Sequence, residues 1–413
     1  MTQTMADQTI ETAFEAAIAS GKINGAVICA ADASGAFVYE RALGHRTLLS
    51  GEKVAQRLDD ILYLASATKL IATVAALQCV EEGLVTLTGD DVMARLPELA
   101  RQPVLREDGN GNAREKEPRA APITLEALLS HTSGAGYDFL VPHLAAWRAA
   151  NDTSPSNAQR PVEEAFAYPL VFQPNTGWMY GPGIDWAGRL VERVTGATLG
   201  DRVRGRICAP LGVSPQDAHF YPVEGDEARA RVVDLNPDDP EGLGRAVLAG
   251  EGHMNRRSKG HFGGHGLFMT GPAYLAVLRS LLVNDGKLLR PETVDDIFRD
   301  RIGPDSEARF QAAVAGPTGA FFRVGIPPDV SIGHGLGGML TREDVDGWYA
   351  KGTLSWGGGM TFAWFIDRQT GLCGLGAIQS ALPMDHSVVG DLKQTFRHDI
   401  YRKHAAWKRE RQG

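Results

Sequence analysis

Tyr63-Leu64-Ala65-Ser66-Ala67-Thr68-Lys69-Leu70-Ile71-Ala72-Thr73-Val74-Ala75-Ala76-Leu77-Gln78-Cys79-Val80-Glu81-Glu82-Gly83 is the stretch that decides the fold. Between Ser66 and Glu82 the apolar residues Leu70, Ile71, Val74, Ala75, Leu77 and Val80 fall on almost every side of a helix, and Gly83 stands just past its end. A helix that is apolar all round must be buried, so the spacing predicts a central helix entered at Ser66. Ser66 and Lys69 then lie one above the other, with Cβ atoms about 5–6 Å apart. S-x-x-K is common by chance as a serine N-cap followed by an exposed lysine. Here the lysine sits in a helix with hardly any polar surface, where a charge needs a purpose. The helix N-terminus would offer N–H groups where an oxyanion forms, and a dry pocket would let the lysine take the serine proton.

On the N-terminal side, Ile10, Phe14, Ala17 and Ile18 repeat at helical spacing before Gly21. The period then changes: Ala26–Ala31 and Ala36–Ala42 flank the turn residues Asp32-Ala33-Ser34-Gly35, which reads as a β-hairpin. On the C-terminal side come short Pro-punctuated pieces to Leu99. Gln102–Pro122 follows, charged and aperiodic, and reads as a surface excursion. Ile123–Leu129 and Ile184–Thr195 read as helices, the latter closed by Gly196, and Tyr274–Val283 as a third. Strands are expected at Gly333–Leu340, Gly347–Trp356, Thr361–Asp367 and Cys373–Ile378. Strand-rich ends around a helical middle predict an α+β protein: an antiparallel sheet domain, 1–90 together with 261–413, flanked by helices and interrupted by a mainly helical lobe over 91–260.

Composition sets the outer limits. The 413 residues, 43% hydrophobic and 22% charged, suit a globular chain with a large core. A net charge of −8 with scattered Lys and Arg gives no footprint for nucleic acid. Met1–Glu15 has no signal-peptide pattern, and no run reaches the ~20 apolar residues of a membrane span. Cys29, Cys79, Cys208 and Cys373 form no CxxC pair and read as reduced thiols. A cytoplasmic protein without a membrane partner is expected.

Two further elements bear on chemistry. Trp178-Met179-Tyr180-Gly181-Pro182-Gly183 is a glycine-rich turn that presents Tyr180 just before a helix, where its phenol can enter a cleft as an acid/base group. Lys351-Gly352-Thr353-Leu354-Ser355 leads into Trp356-Gly357-Gly358-Gly359, a bare backbone that a substrate can approach and that offers an N–H to a carbonyl oxygen.

The order of these elements resembles the serine β-lactamase and penicillin-binding superfamily, in particular its esterase and transesterase branch, where Trp-Gly-Gly replaces Lys-Thr-Gly. Leu64–Leu70, His131-Thr132-Ser133-Gly134, Asp185-Trp186-Ala187-Gly188, Ile207–Gly212 and Gly371-Leu372-Cys373 extend the resemblance along nearly the whole chain. The resemblance implies the β-lactamase/penicillin-binding-protein-like fold and an acyl-enzyme on Ser66. It implies that Lys69 assists the serine, that Tyr180 serves the acceptor hydroxyl, and that the N–H groups of Ser66 and Gly359 hold the oxyanion. Tyr63, Tyr137, Trp356, Gly358 and Met360 are expected to bind substrate. The partners would be a small acyl donor, carried by an acyl carrier protein or coenzyme A, and a polyketide-type alcohol acceptor, with no cofactor and no metal.

Departures concern the pocket. Tyr63 stands where the acyltransferases of this branch are expected to carry arginine, Met360-Thr361-Phe362 replaces a Pro-Asn segment, and Met384 replaces a tryptophan. The acceptor is therefore left open. His131, His261, His265, His334 and His386 match no metal-ligand spacing and no GxSxG elbow, and are expected to be structural or pocket residues. Acyl transfer to an alcohol is the leading expectation. A carboxylesterase with the same residues is the alternative, and a non-catalytic binding protein of this fold is a third reading. β-Lactam or peptide hydrolysis is disfavoured because Trp356 occupies the place of a carboxylate-anchoring lysine.

Overall fold

The computed structural model describes residues 8–47, 53–107, 113–152, 159–220, 225–233, 258–359, 361–380 and 384–412. Thr9 caps the first helix, Ile10–Ala19, by accepting from the Thr12 N–H. β1 (Ile23–Asp32) and β2 (Val38–Thr47) then form the expected hairpin, its turn held by the Asp32 carboxylate, which accepts from the Phe37 N–H and the Ser34 hydroxyl. β3 (Lys53–Ala55) and β4 (Ile61–Tyr63) lead to the expected central helix. Gln102–Pro122 departs from expectation. Its described residues make a two-stranded ribbon, β5 (Val104–Glu107) with β6 (Ala113–Glu117), because Val104 and Leu105 are buried and anchor one strand. Further along the chain, β7 (Ala218–Phe220) joins β4 and β8 (Leu267–Thr270) in a three-stranded sheet of order β4-β8-β7.

The C-terminal strands are shorter than expected. Gly333–Leu340 divides into β9 (Ile332–His334) and β10 (Met339–Thr341), because Gly337 takes φ +79 in the turn between them. Gly347–Trp356 is strand only from Leu354, since Gly347 and Gly352 both take φ +81. β11 (Leu354–Gly358), β12 (Phe362–Asp367) and β13 (Leu372–Ser380) complete the set. The main antiparallel sheet has eight strands in the order β3-β2-β1-β13-β12-β11-β10-β9. Its two centre strands, β1 and β13, come from opposite ends of the chain.

β13 is buried at every position, and β1 at all but one, because helices cover both faces. Gly271–Val283, capped by Thr270, packs on β1, β12 and β13. The terminal helices Ile10–Ala19 and His386–Gln412 pack on each other and on β1. No helix among the described residues is long and apolar enough to cross a membrane. The four cysteines are buried and free.

Candidate active site

The central helix begins one residue pair later than the sequence suggests. Ala65–Ala67 is a 3-10 turn, and the α-helix runs Thr68–Glu81, with every residue from Thr68 to Cys79 buried. Ala65 takes φ +44, a left-handed conformation costly for alanine, and this bend carries the chain from β4 into the helix. The bend is held from several sides. Leu64 donates its N–H to the Leu267 carbonyl at 3.0 Å, Leu267 donates to Thr68 Oγ1 at 3.1 Å, and the Tyr274 hydroxyl donates to the Ala67 carbonyl at 3.0 Å. Ser66 is thereby left half-buried at the mouth of a cavity of about 290 Å³.

Tyr180 Oη lies 2.5 Å from Ser66 Oγ, and Lys69 Nζ lies 3.5 Å from the same oxygen. Lys69 Nζ also sits 4.6 Å from the centre of the Tyr180 ring. The three side chains named from sequence therefore meet at one point. Below them lies a closed ring of hydrogen bonds. Lys69 Nζ donates to the Gly264 carbonyl at 2.8 Å and to Tyr137 Oη at 3.3 Å. The Tyr137 hydroxyl donates to Asp185 Oδ2 at 3.0 Å, and the Gly264 N–H donates to Asp185 Oδ1 at 2.8 Å. With Ser66 counted, a lysine ammonium has a partner for each of its three donors. Gly264 has to be glycine here, since a Cβ would stand 2.2 Å from the Asp185 carboxylate.

Asp185 is completely buried, in the first turn of the Gly183–Thr195 helix. Burial alone would push its carboxyl up. His265, whose Nδ1 lies 3.4 Å away, the Lys69 ammonium and the Gly264 N–H together hold it below its ordinary value. Tyr137 is pushed well above the ordinary phenol value by burial and by Asp185, which marks it as a neutral donor. Tyr137 was expected among the substrate contacts, but it is buried beneath the lysine and does not line the cavity. Asp185 entered the sequence reading only within Asp185-Trp186-Ala187-Gly188, with no role of its own; its burial, which demands partners, is seen only in the packing.

The remaining expected residues separate. Trp356 and Gly359 line the cavity with Ser66, and Gly359 takes φ +55. Gly358 is needed for a different reason than substrate approach: its Cβ would land 2.0 Å from the Leu64 carbonyl, so the strand passes directly against the bend that carries Ser66. Tyr63 sits on β4 with its ring 5.1 Å from that of Phe268, outside the cavity wall. Met360 lies outside the described residues. Met384 is half-buried against the core. His131 and His334 are buried behind the tyrosine, His131 at 4.9 Å from its ring, and His334 hydrogen-bonds the Gly335 carbonyl at 2.7 Å. Burial, then His334 and Lys69, hold His131 well below the usual imidazole value, and burial brings His334 down to about 4. Both are neutral packing groups. His261 accepts from the Gly200 N–H and stacks on Phe220, and His386 is exposed.

A serine–lysine–tyrosine cluster at the start of a buried helix, set against strand β11 of an antiparallel sheet, defines the penicillin-recognising class of serine enzymes, and residues 10–391 match the family described as Beta-lactamase. The chain belongs to that family. Within it, the chain is 58% identical to lovastatin esterase of Penicillium rubens, over 97% of this chain and 99% of the relative. It is 39% identical to monacolin J acid methylbutanoyltransferase of Aspergillus terreus, over 95% of each. The unliganded structure of simvastatin synthase from Aspergillus terreus superposes with a TM-score of 0.81 at 38% identity, covering 95% of this chain and 97% of that one. Esterases and acyltransferases of the β-lactamase-like fold are thus its near relatives.

Proposed function

We propose that this chain is a serine esterase acting on acyl esters of small polyketide-type alcohols, with Ser66 as the nucleophile. The single observation that carries the reading is the Ser66–Tyr180 contact at 2.5 Å beside a buried lysine. Ser66 Oγ attacks the ester carbonyl while its proton passes to the Tyr180 oxygen, which acts as a phenolate beside the Lys69 ammonium. Ser66 and Gly359 line the same cavity, and their N–H groups serve the carbonyl oxygen as it gains charge in this reading. The proton then passes to the departing alkoxide, the alcohol leaves, and water resolves the acyl-enzyme by the reverse path. Tyr137, Asp185 and Gly264 hold the Lys69 amine in place and touch no substrate.

Water is preferred as the second acceptor because the similarity to the relative named as an esterase, 58%, exceeds that to the transferase, 39%. Transfer is the second reading, supported by 39% identity to the methylbutanoyltransferase along nearly the whole chain, and it differs only in whether an alcohol enters in place of water.

Ser66→Ala is expected to lower hydrolysis of lovastatin and of a 4-nitrophenyl ester by at least ~10³-fold, and to abolish the acyl adduct seen by intact mass. Normal turnover by that variant would refute the assignment. Partition of a methylbutanoyl thioester between water and added alcohols separates the two readings: free acid as the main product supports hydrolysis, and ester supports transfer.

A further inference from the structure

The cavity that opens on Ser66 changes character along its length. Beside the serine its wall is apolar, with Phe321, Val324, Trp356 and Phe362; at the C-terminal helix it meets Lys393 and Arg397. Arg397 is 1% exposed. Its Nη1 donates to Gln394 Oε1 at 2.5 Å, and the Gln394 amide donates in turn to the Gly325 carbonyl at 2.9 Å. Its Nε and Nη2 are buried without a hydrogen-bond partner. Beside it stand the rings of Trp348, at 5.8 Å, and of Tyr349, whose hydroxyl interacts with the guanidinium.

Lys393 stands one helical turn earlier on the same wall. Burial, and then the Arg397 charge, push its ammonium down to about 7. Acids of the same stretch do not answer these cations: Asp385 pairs with Lys22, Asp391 accepts from the Ser387 hydroxyl, and Asp399 pairs with Arg402 and Lys403. Among the described residues, neither Lys393 nor Arg397 has a carboxylate at ion-pair distance. Like charges one turn apart repel, and a buried guanidinium with idle donors is costly. Both costs disappear when an anion enters, and a planar carboxylate matches the guanidinium fork.

We infer that this end of the cavity is a carboxylate subsite, in which Arg397 and Lys393 receive an anionic group of the substrate while the ester carbonyl lies at Ser66. The position of the carbonyl rests on the proposed ester chemistry; the binding of the anion does not. The carboxylate can belong to the acyl half or to the alcohol half, and two substrate pairs distinguish them. One is 4-nitrophenyl hydrogen adipate against its primary amide. The other is the butanoyl ester of 6-hydroxyhexanoate against that of 6-hydroxyhexanamide.

In at least one pair the acid is expected to exceed the amide in kcat/KM by about 10-fold, mainly through KM. Lys393→Gln is expected to bring that ratio near one, chiefly by lowering kcat/KM for the acid. Arg397→Gln should act alike, and Lys393→Gln keeps the test open where the buried arginine is needed for folding. Ratios near one in both pairs, or a preference untouched by Lys393→Gln, overturn the inference. If no substrate turns over, the ester chemistry fails and hexanoate decides, titrated into Ser66→Ala and Ser66→Ala/Lys393→Gln proteins. Weaker binding to the second supports the subsite, and equal or absent binding removes it.

Discussion

Tyr137 and Asp185 explain how a lysine can sit inside an apolar helix within reach of the serine. Each oxygen and N–H of the ring Lys69–Gly264–Asp185–Tyr137 is used, so the amine has one position. Tyr137→Phe keeps the stacking on Phe139 but removes two links, the one from Lys69 and the one to Asp185, and is expected to lower kcat about 10-fold with little change in KM. A loss confined to KM would show that Tyr137 contacts substrate instead. His334 gives a pH prediction. Its folded value, about 4, lies below the unfolded 6.5, so between those limits the unfolded chain takes up a proton that the folded one refuses. Stability on this account is complete above pH 6.5 and falls by roughly 3 kcal/mol as the pH drops to 4. Urea unfolding at pH 7 and pH 4.5 should show a smaller acid loss for His334→Gln than for the parent. At this scale the sequence was legible where a residue type announces its chemistry, as with Ser66, Lys69 and Tyr180. Asp185 was not, because an acid in a first helical turn reads equally as a partner of the helix dipole, and only tertiary packing shows that it is buried.

Gly358 belongs to the scale of elements, since it sets how closely β11 passes the bend ahead of the Thr68–Glu81 helix. A Cβ there would overlap the Leu64 carbonyl at 2.0 Å, which is backbone and cannot swing aside. Gly358→Ala is expected to destabilise the protein by about 1–3 kcal/mol and to reduce acylation, because β11 and the 3-10 turn must separate. Gly357→Ala meets its nearest atom at 2.9 Å and should do less. Equal effects in thermal unfolding and acylation would remove the close-approach argument. The glycine run was visible in sequence, but its reason was not: a bare strand reads as room for substrate until its neighbour is known. The C-terminal helix teaches the reverse. Val389, Leu392, Phe396 and Ile400 are buried at helical spacing, so the pattern lay in the sequence, yet the sequence reading assigned no element after Ile378. The strand ends were misplaced at Gly337, Gly347 and Gly352 because a left-handed glycine interrupts pairing without interrupting hydrophobicity.

At the scale of the molecule, the topology ties the chain ends together. β1 pairs with β13 from Ile23↔Ser380 to Asp32↔Leu372, so the centre of the sheet closes only when residues more than three hundred positions apart meet. We propose on this basis that 1–90 with 261–413 forms one folding unit, and that 91–260 is an insertion packed on it through the Gly183–Thr195 helix. Ser66 and Lys69 then come from the sheet unit and Tyr137, Tyr180 and Asp185 from the insertion, so the site exists only where the two meet. A chain cut after Asp367 lacks β13, and with it the partner of both β1 and β12. It is expected to show no cooperative thermal transition and no protection of the β1 amides, even though it retains every side chain of the Ser66 cluster. In the intact protein, amide exchange at Val27 and Cys29 should need the full unfolding free energy, while the lobe ribbon β5–β6 exchanges through smaller openings. Exchange of β1 amides at the rate of the ribbon would show that the sheet does not fold as one unit, and would dissolve the proposed division. A nucleophile whose base is delivered by a separate unit should also lose activity before it loses structure: mild urea is expected to abolish acylation of Ser66 at concentrations where β1 remains protected.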